Sequence, residues 1–147
     1  MNINVVRLEV VKERSVEYGR KKIRCAEDLA ELGQTLIGKA DREVFAVVCL
    51  NTQNGINAIN IVSIGSLTAS IVTAREVFKL AILSNSASIA LMHNHPSGNV
   101  KPSKEDIEIT KQLIEAGKLL DIDVVDHVIV SEGNHYSFLD NGVCNFT

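Results

Sequence analysis

His93 and His95 stand two residues apart at the end of the apolar run Ser88 to Met92, and Asp106 follows at the start of the next segment. The side-chain period of a strand is two, so both imidazoles leave the same side of the chain and form a pincer. The chain then crosses Pro96-Ser97-Gly98-Asn99, turns through Pro102, and begins a helix at Ser103 that puts Asp106 in its first turn, where the carboxylate can swing back toward the rings. Two imidazoles and a carboxylate suit a divalent metal, zinc first. Three protein ligands leave a fourth position for water, which separates catalytic zinc sites from closed structural ones. Iron, cobalt and manganese accept the same donor set. Each piece also has an ordinary structural reading. Ser103-Lys104-Glu105-Asp106 is a helix capping-box pattern, the histidines could be hydrogen-bonded residues at a strand end, and Pro96, Gly98 and Pro102 could merely shape a loop. Their concentration in one short stretch favours the metal.

The elements that must position these residues follow from periodicity. Residues 3–14 alternate loosely and predict a first strand, and Ala26 to Ile37 carries Leu29, Leu32 and Leu36 at helical spacing before Gly38. Val44 to Leu50 is a continuous apolar run of strand length. Ile56 to Ile64 is a second β-rich run, and Asn54-Gly55 between them marks a hairpin. Thr73 to Leu83 reads as a helix with Val77, Phe78 and Ala81 on one face, and Ser88 to Met92 as a short strand feeding the histidines. Ser103 to Leu120 is the longest helix, with a stripe of Ile107, Leu113, Ile114, Gly117 and Leu120. Asp123 to Val130 and His135 to Leu139 close the chain as strands joined by Glu132-Gly133-Asn134. His127 alternates with Val125 and Ile129, so it is either a satisfied core histidine or a group supporting the ligands, and it stays outside the ligand set. His135 lies in a turn and receives no role.

At 147 residues with 46% hydrophobic side chains, the chain matches one compact domain. A net charge of −3 and a pI near 5.8 offer no general attraction to phosphate backbones. The basic run Arg20-Lys21-Lys22-Ile23-Arg24 reads as a solvated face. No window approaches the roughly 20 apolar residues of a membrane span and the N-terminus lacks a signal-peptide pattern, so a cytoplasmic location is expected. Cys25, Cys49 and Cys144 lack paired spacing and read as reduced thiols, Cys49 as a buried small hydrophobe. The tetrapeptide Arg-Glu-Val-Phe occurs at 42–45 and 75–78, opening a strand in one copy and a helix in the other, and is read as coincidence.

His93-x-His95-Pro96-x-Gly98 followed by Ser103-x-x-Asp106 resembles the JAMM metalloprotease signature of JAB/MPN+ domains. The likeness is closer to the RadC branch through His93-Asn94-His95-Pro96-Ser97-Gly98, Pro102-Ser103-x-x-Asp106, Asp126-His127-x-Ile129 and Ser137-Phe138, and it spans about residues 42–142. The resemblance implies an α/β fold, a mixed sheet flanked by helices with MPN/JAB-like, cytidine-deaminase-like architecture. It divides the chain into a strand-and-helix extension, residues 1–40, and a metal-binding domain, residues 41–147. It also implies one zinc ion on His93, His95 and Asp106, and a glutamate that acts as general acid and base on the activated water. Residue matching places that glutamate at Glu43; Glu76 shares its tetrapeptide but sits at a helix start, where exposure or a dipole contact explains it. Ser103 would donate to the oxyanion formed when a carbonyl is attacked, a role in which one donor is worth ~3 kcal/mol.

The activity so implied is hydrolysis of an amide, peptide or isopeptide bond, with a peptide or protein as substrate. The first forty residues do not resemble the helix-hairpin-helix module that precedes this domain in full-length RadC members, so a DNA-binding half is expected to be missing. A DNA-repair-associated accessory role, recruited through partners, is the alternative; acidic pI and 4% aromatic residues argue against strong DNA binding. A metal-free interaction domain would have lost ligands that this chain keeps. A zinc deaminase would need a Cys-x-x-Cys pair, which is absent. The tripeptide His93-Asn94-His95 is no evidence for a His-Asn-His nuclease, whose residues come from separate parts of their unit.

Overall fold

The continuous apolar run at Val44–Leu50 becomes strand β1, buried along its whole length, as expected for a strand covered on both faces. The structure, a computed structural model, describes residues 1–65, 67 and 71–147. The order is α1 (Ala26–Ile37), β1, β2 (Ile56–Ile64), α2 (Ala74–Leu83), β3 (Ser88–Asn94), α3 (Lys104–Leu120), β4 (Asp123–Ser131) and β5 (Asn134–Ser137). One five-stranded sheet runs β2-β1-β3-β4-β5. β1 pairs antiparallel with β2 and β3, β3 pairs parallel with β4, and β4 pairs antiparallel with β5. The parallel pair requires a crossover, and α3 supplies it. The fold is α/β, a mixed sheet with helices on both faces.

Alternation along the strands divides the core. Ala46, Val48, Ala90, Met92, Val128 and Val130 pack with Leu29 and Leu32 of α1. Phe45, Val47, Leu91 and Val124 face the other way, against Val77 and Phe78 of α2 and Leu113 and Ile114 of α3. The α1 side is close-packed: a Cβ at Gly33 would meet Val130 Cγ1 at 3.1 Å. The predicted Asn-Gly hairpin is present, with Asn54 at φ 61° and the Asn51 side chain accepting from the N–H groups of Gln53 and Gly55.

Some expectations need correction. Residues 3–14 form no strand and are exposed. A strand requires a ladder partner, and the first pairing of the chain with the sheet is the Lys22–Gly55 bridge; the doubled Val5-Val6 and Val10-Val11 also break the alternation that would give one apolar face. In α3 the expected stripe residue Leu120 is 45% exposed, while Ile109 and Thr110 are buried instead, because the helix ends there and the chain turns at Asp121 with φ 57°. The strand expected to stop at Met92 runs through His93 to Asn94. Among the described residues, no helix is long and apolar enough to cross a membrane.

Candidate metal centre

His93 sits inside the sheet, between Phe45 of β1 and Ile129 of β4, and is fully buried. His95 lies one residue beyond β3, where its backbone N–H still donates to the Val130 carbonyl at 3.0 Å, so the strand direction continues and both rings project to one side. The chain then turns sharply, with the Gly98 N–H donating to the His95 carbonyl and Gly98 at φ 88°, a conformation that favours glycine. α3 begins with a full capping box: Ser103 Oγ accepts from the Asp106 N–H at 3.0 Å, and Asp106 Oδ2 accepts from the Ser103 N–H at 2.8 Å. Capping thus aims the carboxylate at the histidines and does not compete with that role.

His93 Nε2 and His95 Nε2 approach to 3.0 Å, Asp106 Oδ1 lies 3.4 Å from the first, and Oδ2 lies 3.2 Å from the second. Around a tetrahedral zinc with bonds of 2.0–2.1 Å, neighbouring donor atoms stand about 3.3 Å apart, so the spacing fits such an ion. The proton positions agree. The Asn99 carbonyl can only accept, so His95 Nδ1, 2.7 Å away, carries a hydrogen, and the neutral ring has its lone pair on Nε2, toward the cluster. A bare nitrogen beside a carboxylate is an environment for a cation. The hydrogen bond to Asp106 raises the His95 pKa against the opposing effect of burial. Burial by itself would raise the Asp106 pKa, but the contacts from His93 and His95 outweigh it and hold this carboxyl well below the usual carboxylate range.

Glu43 immediately precedes β1, and its Oε1 lies 3.8 Å from His95 Nε2. Glu43, His93 and His95 each offer one ligand atom within 4.8 Å of the others, a group able to hold a metal ion. Exposure rises across the cluster, from fully buried His93 through His95 at 11% to Glu43 at 36%, so the site opens to solvent on the glutamate side. Asn94 fixes this approach. Its buried side chain accepts from the Val44 N–H at 2.6 Å and donates to the carbonyls of Arg42 and Ala40 at 2.9 and 3.3 Å, clamping the segment that carries Glu43. Sequence reasoning gave Asn94 no role. Its position between two candidate ligands, pointing to the opposite face of a strand, was the available signal. Glu76 lies in the first turn of α2, exposed and paired with Lys79.

His127, left undecided by the sequence, is buried with Nε2 2.7 Å from His93 Nδ1 and Nδ1 2.6 Å from Thr110 Oγ1. Burial first, and neighbouring His93 second, hold it well below its ordinary pKa. Ser103 is exposed at the lip of the site, and its oxygen is engaged as the helix cap. His135, expected in a turn, lies instead on β5, outside the cluster. A cavity of about 640 Å³ is lined by residues of the 10–20 segment, β2, α1 and α2 and includes none of these side chains.

The RadC-like JAB domain family model matches residues 23–143. This chain belongs to that family. The match takes in α1 and reaches further toward the N-terminus than the motifs around the histidines. Among curated relatives, a UPF0758 protein of Methanosarcina barkeri is 46% identical over 130 residues, covering 88% of this chain and 57% of the relative. One from Roseiflexus castenholzii is 48% identical over 124 residues, covering 84% and 53%, and one from Caldanaerobacter subterraneus is 44% identical over 142 residues, covering 90% and 61%. This RadC-like JAB domain chain thus spans between half and two thirds of the length of these relatives. Their names carry no activity.

Proposed function

We propose that the chain is a zinc-dependent hydrolase of amide, peptide or isopeptide bonds, with His93, His95 and Asp106 as ligands, Glu43 as general acid and base, and Ser103 as oxyanion donor. The observation that carries this reading is the convergence of two imidazole Nε2 atoms and one carboxylate at 3.0–3.4 Å beside a half-exposed glutamate. When bound, zinc would supply Lewis acidity, lowering the pKa of a water to about 7 and polarising a carbonyl. Glu43 stands on the solvent side of the donors, where its carboxylate can take a proton from water and return it to a leaving amine. Ser103 accepts a hydrogen bond at Oγ from the Asp106 N–H, which leaves its own hydroxyl proton available for a developing oxyanion at the open edge. The buried His93 and Asp106 hold the dry side of the site and limit water to the side of Glu43.

Metal analysis by mass spectrometry, on protein purified without chelator or histidine tag, tests the ligand set. About one zinc per chain is expected in the wild type, lost in His93→Ala and Asp106→Ala. No stoichiometric metal, even after zinc is added, overturns the hydrolase. A screen of peptide and isopeptide substrates with Glu43→Gln as control tests the reaction. Retention of zinc with loss of turnover fits an acid-base role, whereas loss of zinc would make Glu43 a ligand.

A further inference from the structure

We propose that Thr110 and His127 are positioning residues that fix His93 as the Nδ1–H tautomer, so that its Nε2 lone pair is presented to the metal. The proposal rests on the metal reading above for its purpose, but its geometry is independent of any ion. The backbone carbonyl of Asp106 can only accept, and Thr110 Oγ1 lies 2.7 Å from it, so the single hydroxyl proton of Thr110 points there. The Thr110 oxygen then has only lone pairs to offer His127 Nδ1 at 2.6 Å, and that nitrogen must carry a hydrogen. One hydrogen also has to lie between His127 Nε2 and His93 Nδ1, which are 2.7 Å apart. If His127 supplied it, the ring would be a cation buried among Phe138, stacked at 4.4 Å, and Phe45, edge-on at 5.6 Å, with no carboxylate on either nitrogen. Burying an unpaired cation is costly, so His93 is the donor.

The direction of every bond follows from the first: Thr110 donates to the Asp106 carbonyl, His127 to Thr110, and His93 to His127. The bare His93 Nε2 then faces His95 Nε2 and Asp106 Oδ1. His95 reaches the same tautomer more simply, through the Asn99 carbonyl. His93 lies inside the sheet between β1 and β4, and its Nδ1 meets the His127 ring, so a side-chain relay takes that part. The relay starts and ends at the centre: α3 supplies both the carboxylate of Asp106 and, one turn later, the hydroxyl that orients His93.

Long-range 1H–15N correlation spectra of the histidine rings in metal-free wild-type protein test this directly. The expected result is a protonated Nδ1 and bare Nε2 on His93; the opposite tautomer overturns the proposal without any variant having to fold. Thr110→Val keeps shape and removes the acceptor, so His127 is freed to place its hydrogen on Nε2 and His93 to follow with Nε2–H. Zinc affinity, read by competition with a chromophoric chelator, should then fall roughly 10- to 100-fold, and Thr110→Ser should restore both affinity and tautomer. A folded Thr110→Val protein with wild-type zinc affinity and an unchanged His93 tautomer overturns the relay. Failure of the wild type to bind zinc would overturn the hydrolase reading, while the ring spectra would still decide the relay.

Discussion

The two faces of the sheet are made by the same strands one residue out of phase, yet they are held by different forces. On the α1 face, Ala46, Val48, Ala90, Met92, Val128 and Val130 pack under Leu29 and Leu32, and past Met92 the same alternation reaches Asn94, whose side chain bonds backbone groups of residues 40, 42 and 44. On the other face the same alternation begins apolar, with Val47, Cys49, Ile89 and Leu91, and toward one end of the strands reaches His93 and His127. Buried area is non-directional, so the α1 face depends on volume and shape. Hydrogen bonds have a donor and an acceptor, so the histidine end depends on which atom faces which. A volume-conserving change should therefore be tolerated on the first face and disruptive on the second.

The largest contrast is expected between His93→Ala and Leu32→Ala. The first should abolish stoichiometric metal binding, and the second should leave it intact, as read by mass spectrometric metal analysis; metal loss in Leu32→Ala would show that the two faces are not separable. Glu43→Gln should lower turnover of a peptide or isopeptide substrate by roughly 10²- to 10⁴-fold while zinc is retained, the usual range for a general acid-base group. Leu32→Ala should cost about 2–5 kcal/mol in urea unfolding, the range for a large buried side chain cut to alanine, with the folded protein still binding zinc. Ser103→Ala removes a helix cap and should cost ~1 kcal/mol of stability in the same assay. A drop in turnover well beyond what that loss of fold explains would support its oxyanion role.

The smallest effect concerns the apolar stretch of the histidine face. Burial pushes the Cys49 thiol up to about 11. The thiolate is the reactive form, so it is populated only as pH approaches that value, and at pH 8 a maleimide should label exposed Cys25 and spare Cys49 in the native protein. Mass spectrometry of the labelled peptides reads this, and rapid native-state labelling of Cys49 would mean that this face opens.

Several elements were legible because their signals are local. The continuous run Val44 to Leu50, the Asn-Gly turn and the spacing of Leu29, Leu32 and Leu36 each reflect a period or a turn requirement that short stretches of chain must satisfy. Residues 3–14 misled for the complementary reason: alternation marks a segment that can join a ladder, but not whether an edge is available to it. Asp106 carried two readings, cap and metal-facing carboxylate, and both are realised because Oδ2 can accept from the Ser103 N–H while lying 3.2 Å from His95 Nε2.

By itself the sequence determined the donor types, the same-side projection of His93 and His95, and the helix start that brings Asp106 back toward them, all consequences of chain geometry over a few residues. Only the tertiary structure decided that Glu43 meets His95, that Asn94 clamps the approach of Glu43, and that Thr110 and His127 orient His93. Those contacts join residues on different elements. Their existence depends on strand order and register, which the pairing of β1 with β3 and of β3 with β4 sets and no local period encodes.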